Sequence, residues 1–131
     1  MSSPPRAQLA YQYVVLRCVP RVDREEFVNV GLVLYCQQAG FLSCECAVDR
    51  GRVLALDPDL DLAALDQALG FVAAVCGADP AAGEVATRPR GVRFGFLTAP
   101  RSTVVQPGPV HGGITDDPAA EIERLLGRLV R

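Results

Sequence analysis

The sequence lacks lysine and tryptophan altogether, and its 131 residues include one histidine and one methionine. No uninterrupted apolar run approaches the roughly 18–20 residues of a membrane-spanning helix, so the sequence predicts no such helix. All 13 basic residues are arginine. Because the chain is also rich in Ala, Gly, Pro and Val, this bias is typical of a GC-rich genome and says little about function. A histidine-dependent general base could only be His111.

The composition is that of one folded domain. Half of the residues are hydrophobic and 21% are charged, which excludes a chain that is disordered throughout. The formal net charge of −2 argues against a general binder of nucleic acids or anionic membranes. Residues 1–6 lack the apolar segment of a signal peptide. We therefore expect a flexible N-terminal arm at 1–8, a single domain at 9–131 and a cytoplasmic location.

The cysteines predict reduced thiols, because their number is odd and no signal peptide is recognised. Cys44 and Cys46 form a C-x-C pair, which a strand would place on one face. A metal site would need two further ligands there, so we expect no metal and interpret the thiols as apolar core residues. The five cysteines are Cys18, Cys36, Cys44, Cys46 and Cys76.

Three segments have the β-branched and aromatic composition of strands. The first is apolar on both faces, and the short connections between the three predict an antiparallel meander. These strands are expected at 9–19, 28–36 and 41–48. Alternation of apolar with other residues predicts a further strand at 92–97, and a β-branched run predicts one at 103–106. A short edge strand is also expected at 52–56.

Two Asp-Pro pairs predict helix starts, because aspartate caps free amides and proline suits the first helical position. The predicted helices are 58–76 and 118–130, the second with Glu121 and Arg124 on its solvent face. Residues 78–90 are expected to form a mobile loop, with Arg88, Arg90 and Arg93 solvated nearby. The predicted fold class is α+β: an antiparallel sheet of four to five strands with two packed helices. A βαβ arrangement with a parallel pair is the alternative.

Unexplained polar residues concentrate at 23–31 and 100–117. The second segment is an irregular Pro/Gly-rich stretch, which favours a functional role. His111 and Asp116 are the catalytic candidates, and with Ser102 or Thr103 as nucleophile a hydrolase triad can be written. No nucleophile elbow or other catalytic motif supports it. The sequence therefore leaves enzymatic activity open and favours its absence, with no cofactor expected.

The polar segments also carry a family resemblance. Residues 11–34, YQYVVLRCVPRVDREEFVNVGLVL, together with APRSTVVQPGPVH at 99–111 and the following TDDP, resemble the DUF3037 family of small bacterial proteins of unknown function. The resemblance covers about residues 9–130, and Gly112 departs from the usual small hydroxyl residue. The positions that match its polar signature are Arg24, Glu26, Asn29, Gly31, Arg101, Gln106, Pro107 and His111.

The resemblance implies a partner, because such proteins are often encoded beside HipA-like kinase homologues. We expect an interaction module that acts with a partner protein; a homo-oligomer is compatible with the sequence, and nucleic acid is not expected. The alternative is a small enzyme or ligand binder that uses Arg101, His111 and Asp116. We also expect the segment 99–117 to fold against the connector 23–29. The expected binding residues are Arg24, Glu26, Asn29, Arg101, Thr103, Gln106 and His111.

Overall fold

The computed structural model describes residues 8–131, so residues 1–7 of the expected flexible arm lie outside the described residues. Five strands and four α-helices follow in chain order, with 3₁₀ segments at Val22–Arg24 and Pro80–Thr87. The strands are β1 (Leu9–Cys18), β2 (Val28–Cys36), β3 (Phe41–Cys46), β4 (Val105–Pro107) and β5 (His111–Thr115). The helices are α1 (Arg50–Leu56), α2 (Leu62–Cys76), α3 (Arg90–Thr98) and α4 (Pro118–Leu129).

The sheet confirms the predicted α+β class. All of its strand pairs are antiparallel, in the order β3-β2-β1-β4. β5 pairs with the first half of β1, and β4 pairs with its end, so both strands share the edge of β1 that faces away from β2. The parallel βαβ alternative was wrong, because α2 leads into another helix and not into a neighbouring parallel strand.

Both faces of the sheet are covered, which explains why β1 and β2 are apolar on both faces. One face packs against the first three helices and contributes Val14, Leu16 and Val33 to a core with Leu65 and other helical residues. The other face packs against α4. This second core contains Tyr11, Leu32, Leu34, Cys36, Ile122, Leu125, Leu126 and Val130.

A bulge in β2 changes which side chains share a face. Leu16 pairs with Gly31, whereas the next residue of β1 pairs with Asn29, so Val30 is an extra residue in β2. The even-numbered positions of β2 therefore do not all share one face, contrary to what their uniformly apolar character suggests. Val30 belongs to the core under the first three helices, whereas Leu32 and Leu34 face α4.

The helix predicted at 58–76 is found as α2 and begins later, at Leu62, whereas the edge strand predicted at 52–56 is wrong because these residues belong to helix α1. Asp49 caps α1 by accepting from the Arg52 amide at 3.1 Å, and Asp61 caps α2 by accepting from the Ala64 amide at 3.1 Å. Asp57, the predicted cap, instead ends α1. The chain offers several aspartates in succession, and the tertiary packing decides which of them begins each helix.

The predicted strand at 92–97 is helix α3, and the fifth strand is β5, which lies in the segment predicted to be irregular. The strand predicted at 103–106 is found as β4, the third strand ends at Cys46, and the C-terminal helix ends at Leu129. The segment predicted as a mobile loop, 78–90, contains the 3₁₀ segment Pro80–Thr87, in which Ala82 is buried.

Within residues 8–131, no single helix is long and apolar enough to cross a membrane. The pair formed by α2 and the following 3₁₀ segment, bent by 43°, meets that criterion by length and composition only.

Candidate functional site

A groove of about 370 Å³ opens between α2 and β4, and we call it the edge groove. Apolar side chains form most of its wall, and the polar groups are the amide of Gln67, the guanidinium of Arg101 and the hydroxyl of Thr103. Two of these three belong to the predicted binding residues. The lining residues are Leu16, Ala64, Gln67, Ala68, Phe71, Val72, Leu97, Arg101, Thr103, Val105 and Pro107.

Arg101 is held in place beside the edge groove by α3. Its Nη2 donates to the Phe96 carbonyl at 2.6 Å, and its guanidinium lies 4.4 Å from the centre of the Phe96 ring. The Phe96 ring meets Phe71 of α2 edge to face, with centroids 6.2 Å apart, and each of these two residues is 37% exposed. The edge groove is thus bordered by two exposed aromatic rings and one cation.

Thr103 and Gln106 shape the entry to β4. The Thr103 hydroxyl donates to the Val105 carbonyl at 2.8 Å, and Gln106 Nε2 donates to the Thr103 carbonyl at 3.1 Å. Thr103 therefore has a backbone acceptor for its hydroxyl. Among residues 8–131, no aspartate, glutamate or histidine lines the edge groove, so this site offers binding contacts without a general base.

Gln106 also lines a second, more polar pocket of about 360 Å³, together with Arg17 and the residues of the connector. The Arg17 guanidinium lies 4.1 Å from the centre of the Phe27 ring, and its Nε is buried without a hydrogen-bond partner among the described residues. Glu25 adopts a left-handed backbone conformation there, with φ of 56°. Gln106 of segment 99–117 and Phe27 of the connector thus line one pocket with Arg17, a residue that the sequence did not single out, whereas strand β1 lies between Gln106 and Asn29.

The other predicted residues of the first polar segment have local or structural partners. Arg24 pairs with Glu26 at the surface. Asn29 Nδ2 donates to the Leu129 carbonyl at 3.1 Å and thereby connects β2 to α4. Gly31 lies against β3, where a Cβ atom would come within 2.8 Å of the Glu45 carbonyl oxygen.

The predicted set of Arg101, His111 and Asp116 is not gathered at one pocket. His111 lies in β5 opposite Tyr13, with ring centroids 5.3 Å apart, and Asp116 directly precedes the capping residue of α4. Neither lines the edge groove. The hypothesis that these three residues act together therefore has no geometric support among the described residues.

A buried polar cluster joins β1 to α4, and sequence reasoning missed it. The Tyr11 hydroxyl donates to Glu121 Oε2 at 2.8 Å, and Glu121 also pairs with Arg124. Burial, followed by the hydrogen bond to the carboxylate, raises the pKa of Tyr11 to about 12. The hydrogen bond from Arg124 lowers the pKa of Glu121. Glu121 was predicted on the solvent face and is in fact buried, because Tyr11 supplies it with a donor.

Within the described part of the chain, no group of three or more His, Cys, Asp or Glu side chains is placed to hold a metal ion. Cys44 and Cys46 lie on one face of β3 as the strand prediction requires, with their sulfurs 3.6 Å apart.

Comparison with known proteins gives one match. The family described as a protein of unknown function, DUF3037, matches residues 13–130. No curated protein and no solved structure shows significant similarity to the chain.

Proposed function

The chain belongs to the DUF3037 family of proteins of unknown function, and we propose that it is an interaction module that binds a partner protein through the edge groove. The observation that carries this proposal is the combination of an apolar groove of about 370 Å³ with a cation and exposed aromatic rings beside it. Residues of these types dominate the binding energy of protein interfaces.

The contacts suggest what the partner would present. An apolar side chain would fill the edge groove between α2 and β4 and remove its wall from water. Arg101 uses one nitrogen to bind the Phe96 carbonyl, and a guanidinium has five N–H donors. Its remaining donors would bind a carbonyl or carboxylate of the partner beside the apolar anchor.

A HipA-like kinase is the partner to test first, because the family resemblance suggests a neighbouring gene of this class. The experiment is a calorimetric titration of the purified kinase into the purified protein. We expect binding that Arg101→Ala weakens at least about tenfold, equivalent to about 1.4 kcal/mol. Phe71→Ala should weaken it similarly, since that ring borders the edge groove.

The matched control is Arg50→Ala, which removes an exposed arginine at the start of α1, outside the edge groove. It should bind like the unaltered protein. Absence of binding at micromolar concentrations would contradict the choice of partner. Binding that Arg101→Ala and Phe71→Ala both leave unchanged would contradict the edge groove as the interface.

A small ligand is the second candidate, favoured by the volume of the edge groove, which falls within the roughly 300–1,000 Å³ of ligand pockets. Such a ligand would combine an apolar body with an anionic group for Arg101. Medium-chain carboxylates are suitable probes, and we expect them to raise the melting temperature of the unaltered protein and not of Arg101→Ala. Equal shifts for both proteins would contradict a ligand role of Arg101.

A further inference from the structure

We propose that Cys44 and Cys46 form a thiol–disulfide exchange site: Cys46 is the attacking thiol and Cys44 the resolving thiol, and together they reduce a small-molecule disulfide. The geometry points to this pair because the two sulfurs lie 3.6 Å apart on the same face of β3. The site is separate from the edge groove, which neither cysteine lines, so it does not depend on the function proposed above.

The five cysteines differ sharply in accessibility. Cys18, Cys36 and Cys76 are buried, Cys44 is half-buried and Cys46 is exposed. A buried thiol is inert toward solutes, whereas an exposed thiol can reach the sulfur of a disulfide. Only Cys46 therefore meets the first requirement for attack, and only Cys44 has its sulfur placed beside Cys46 to complete the reaction.

The neighbouring strand provides space for the Cys46 sulfur. Gly31 pairs with Cys46 across β2 and β3, and a Cβ atom on Gly31 would lie 3.0 Å from Cys46 Sγ. Any other residue at this position would crowd the sulfur and also meet the Glu45 carbonyl oxygen at 2.8 Å. Gly31, one of the positions that match the family signature, thus forms part of the environment of the thiol pair.

The hydrogen bond between the thiols gives them different roles. Donation from the Cys44 thiol lowers the pKa of Cys46, and the same bond together with burial raises the pKa of Cys44. At neutral pH this favours the thiolate on the exposed sulfur. The thiolate is the nucleophile in disulfide exchange, so the accessible cysteine is also the activated one.

The exchange can be written with glutathione disulfide as the oxidant. The Cys46 thiolate attacks one sulfur of that disulfide, forms a mixed disulfide and releases one glutathione thiolate. Cys44 then loses its proton to solvent, and its thiolate attacks the Cys46 sulfur and releases the second glutathione. The protein loses two electrons as its two thiols become one disulfide, and the small disulfide gains them as it becomes two thiols.

Closure of the bond requires a local change at the end of β3. The Cα atoms of residues i and i+2 in a strand are about 6.7 Å apart, which is at the upper limit of the Cα separation in disulfides. The two sulfurs must also approach to about 2 Å. Cys46 is the last residue of β3, and residues 47–49 have no regular structure. Movement of Cys46 toward Cys44 would disturb only the last β2–β3 pair, Gly31 with Cys46, and the adjoining hydrogen bond from the Ala47 amide to the Val30 carbonyl, and would leave the pairs at the other end of the hairpin in place.

The test is incubation of the folded protein with glutathione disulfide, followed by peptide mapping with mass spectrometry. We expect the unaltered protein to form a Cys44–Cys46 disulfide. Cys44→Ser should stop at a mixed disulfide on Cys46, because the resolving thiol is missing. Cys46→Ser should react at least about tenfold more slowly than Cys44→Ser, because the remaining Cys44 thiol is half-buried whereas Cys46 is exposed. Circular dichroism verifies that each variant is folded.

Three results would overturn the proposal: retention of both thiols in the unaltered folded protein, equal reaction rates for the two serine variants, or a glutathione adduct that stays on Cys46 when Cys44 is present. A dithiol-specific trivalent arsenical provides a test that needs no variant. We expect one equivalent to bind per chain and to block the exchange, and failure to bind would count against a reactive pair.

Discussion

Two adjacent glycines of β5 show how one side chain determines what a residue position tolerates. Gly113 pairs with Tyr11, and a Cβ atom on Gly113 would lie 2.4 Å from the Tyr11 hydroxyl oxygen and 2.5 Å from Cζ. A Cβ atom on Gly112 would lie 3.5 Å from its nearest neighbour, an ordinary contact. The Tyr11 ring therefore leaves no room for a side chain at Gly113, whereas Gly112 has room for one. The sequence alone does not distinguish these two glycines.

Gly113→Ala should lower the free energy of unfolding by about 1–3 kcal/mol, because the added methyl group must displace the buried Tyr11 ring. Urea denaturation monitored by circular dichroism measures this loss. Gly112→Ala is the matched control and should change stability by less than about 0.5 kcal/mol. Equal effects of the two substitutions would show that the Tyr11 ring does not occupy the space over Gly113.

Tyr11 should also make stability dependent on alkaline pH. Its pKa rises from 10.0 to about 12 in the folded protein, owing first to burial and then to the bond to Glu121. Between these values the unfolded chain loses the proton first, so stability falls as pH rises. Tyr11→Phe should cost about 1.5–3 kcal/mol below pH 10, and this cost should shrink toward pH 12.

Urea midpoints of both proteins from pH 8 to pH 12 test the dependence on Tyr11. The absence of lysine simplifies this comparison, because no lysine side chain titrates in the same range. Thiols titrate in both proteins and largely cancel in the difference. A difference in stability that stays constant up to pH 12 would exclude a raised Tyr11 pKa.

At the scale of elements, the sequence predicted those strands and helices whose own side chains show a clear hydrophobic periodicity. β1, β2 and α4 are found close to their predicted limits, because each is long and strongly periodic. α3 was mistaken for a strand because Val92, Phe94 and Phe96 alternate with other residues. Its helical form instead buries Arg93, which the sequence presents as a solvated charge.

In the candidate site, too, the sequence identified residues with a local signal and missed those whose role depends on tertiary packing. Arg101, Thr103 and Gln106 were singled out from sequence because they are polar residues in a segment without periodicity, and all three lie along the β4 edge. Phe71 and Arg17 could not be recognised, because their roles arise only when α2 and the connector pack beside that edge. Nothing in their local sequence separates them from ordinary core or surface residues.

Arg93 connects α3 to the end of α2. Its Nη1 donates to the carbonyls of Val75 and Cys76, each at 2.7 Å, and its Nε donates to the Arg88 carbonyl at 2.9 Å. These acceptors lie at or near segment ends, where carbonyls lack helical partners and a cation is favourable. The arginine thus does for α2 what a C-terminal capping motif does in other helices.

Arg93→Ala should lower the free energy of unfolding by about 1.5–3 kcal/mol, because buried carbonyls lose a charged donor. Amide hydrogen exchange should accelerate at the end of α2 and in residues 77–79, whose amides bond to the last turn. Arg90→Ala, in the exposed first turn of the same helix, is the control. If both variants lose the same stability, the loss reflects helix α3 itself and not the contact of Arg93 with α2.

At the scale of the whole molecule, one sheet separates two cores, and β1 and β2 contribute to both. The larger core joins the sheet to the first three helices, and the smaller core joins it to α4. Asn29, near the start of β2, bonds to the Leu129 carbonyl at the end of α4, and Tyr11 of β1 bonds to Glu121 in the first turn of α4. Because the shared strands must be ordered for either core to form, we expect the two cores to unfold together.

A pair of substitutions on opposite faces of the sheet tests this cooperativity. Leu65→Ala removes volume from the larger core and should cost about 2–5 kcal/mol, and Ile122→Val in the smaller core should cost about 0.5–1.5 kcal/mol. Since the sheet lies between them, the two costs should add within about 0.5 kcal/mol. Each single variant and the double variant should show one urea transition with an unchanged slope. A second transition in Ile122→Val, or a double variant that loses much less than the sum, would show that α4 and the sheet face beneath it unfold independently of the larger core.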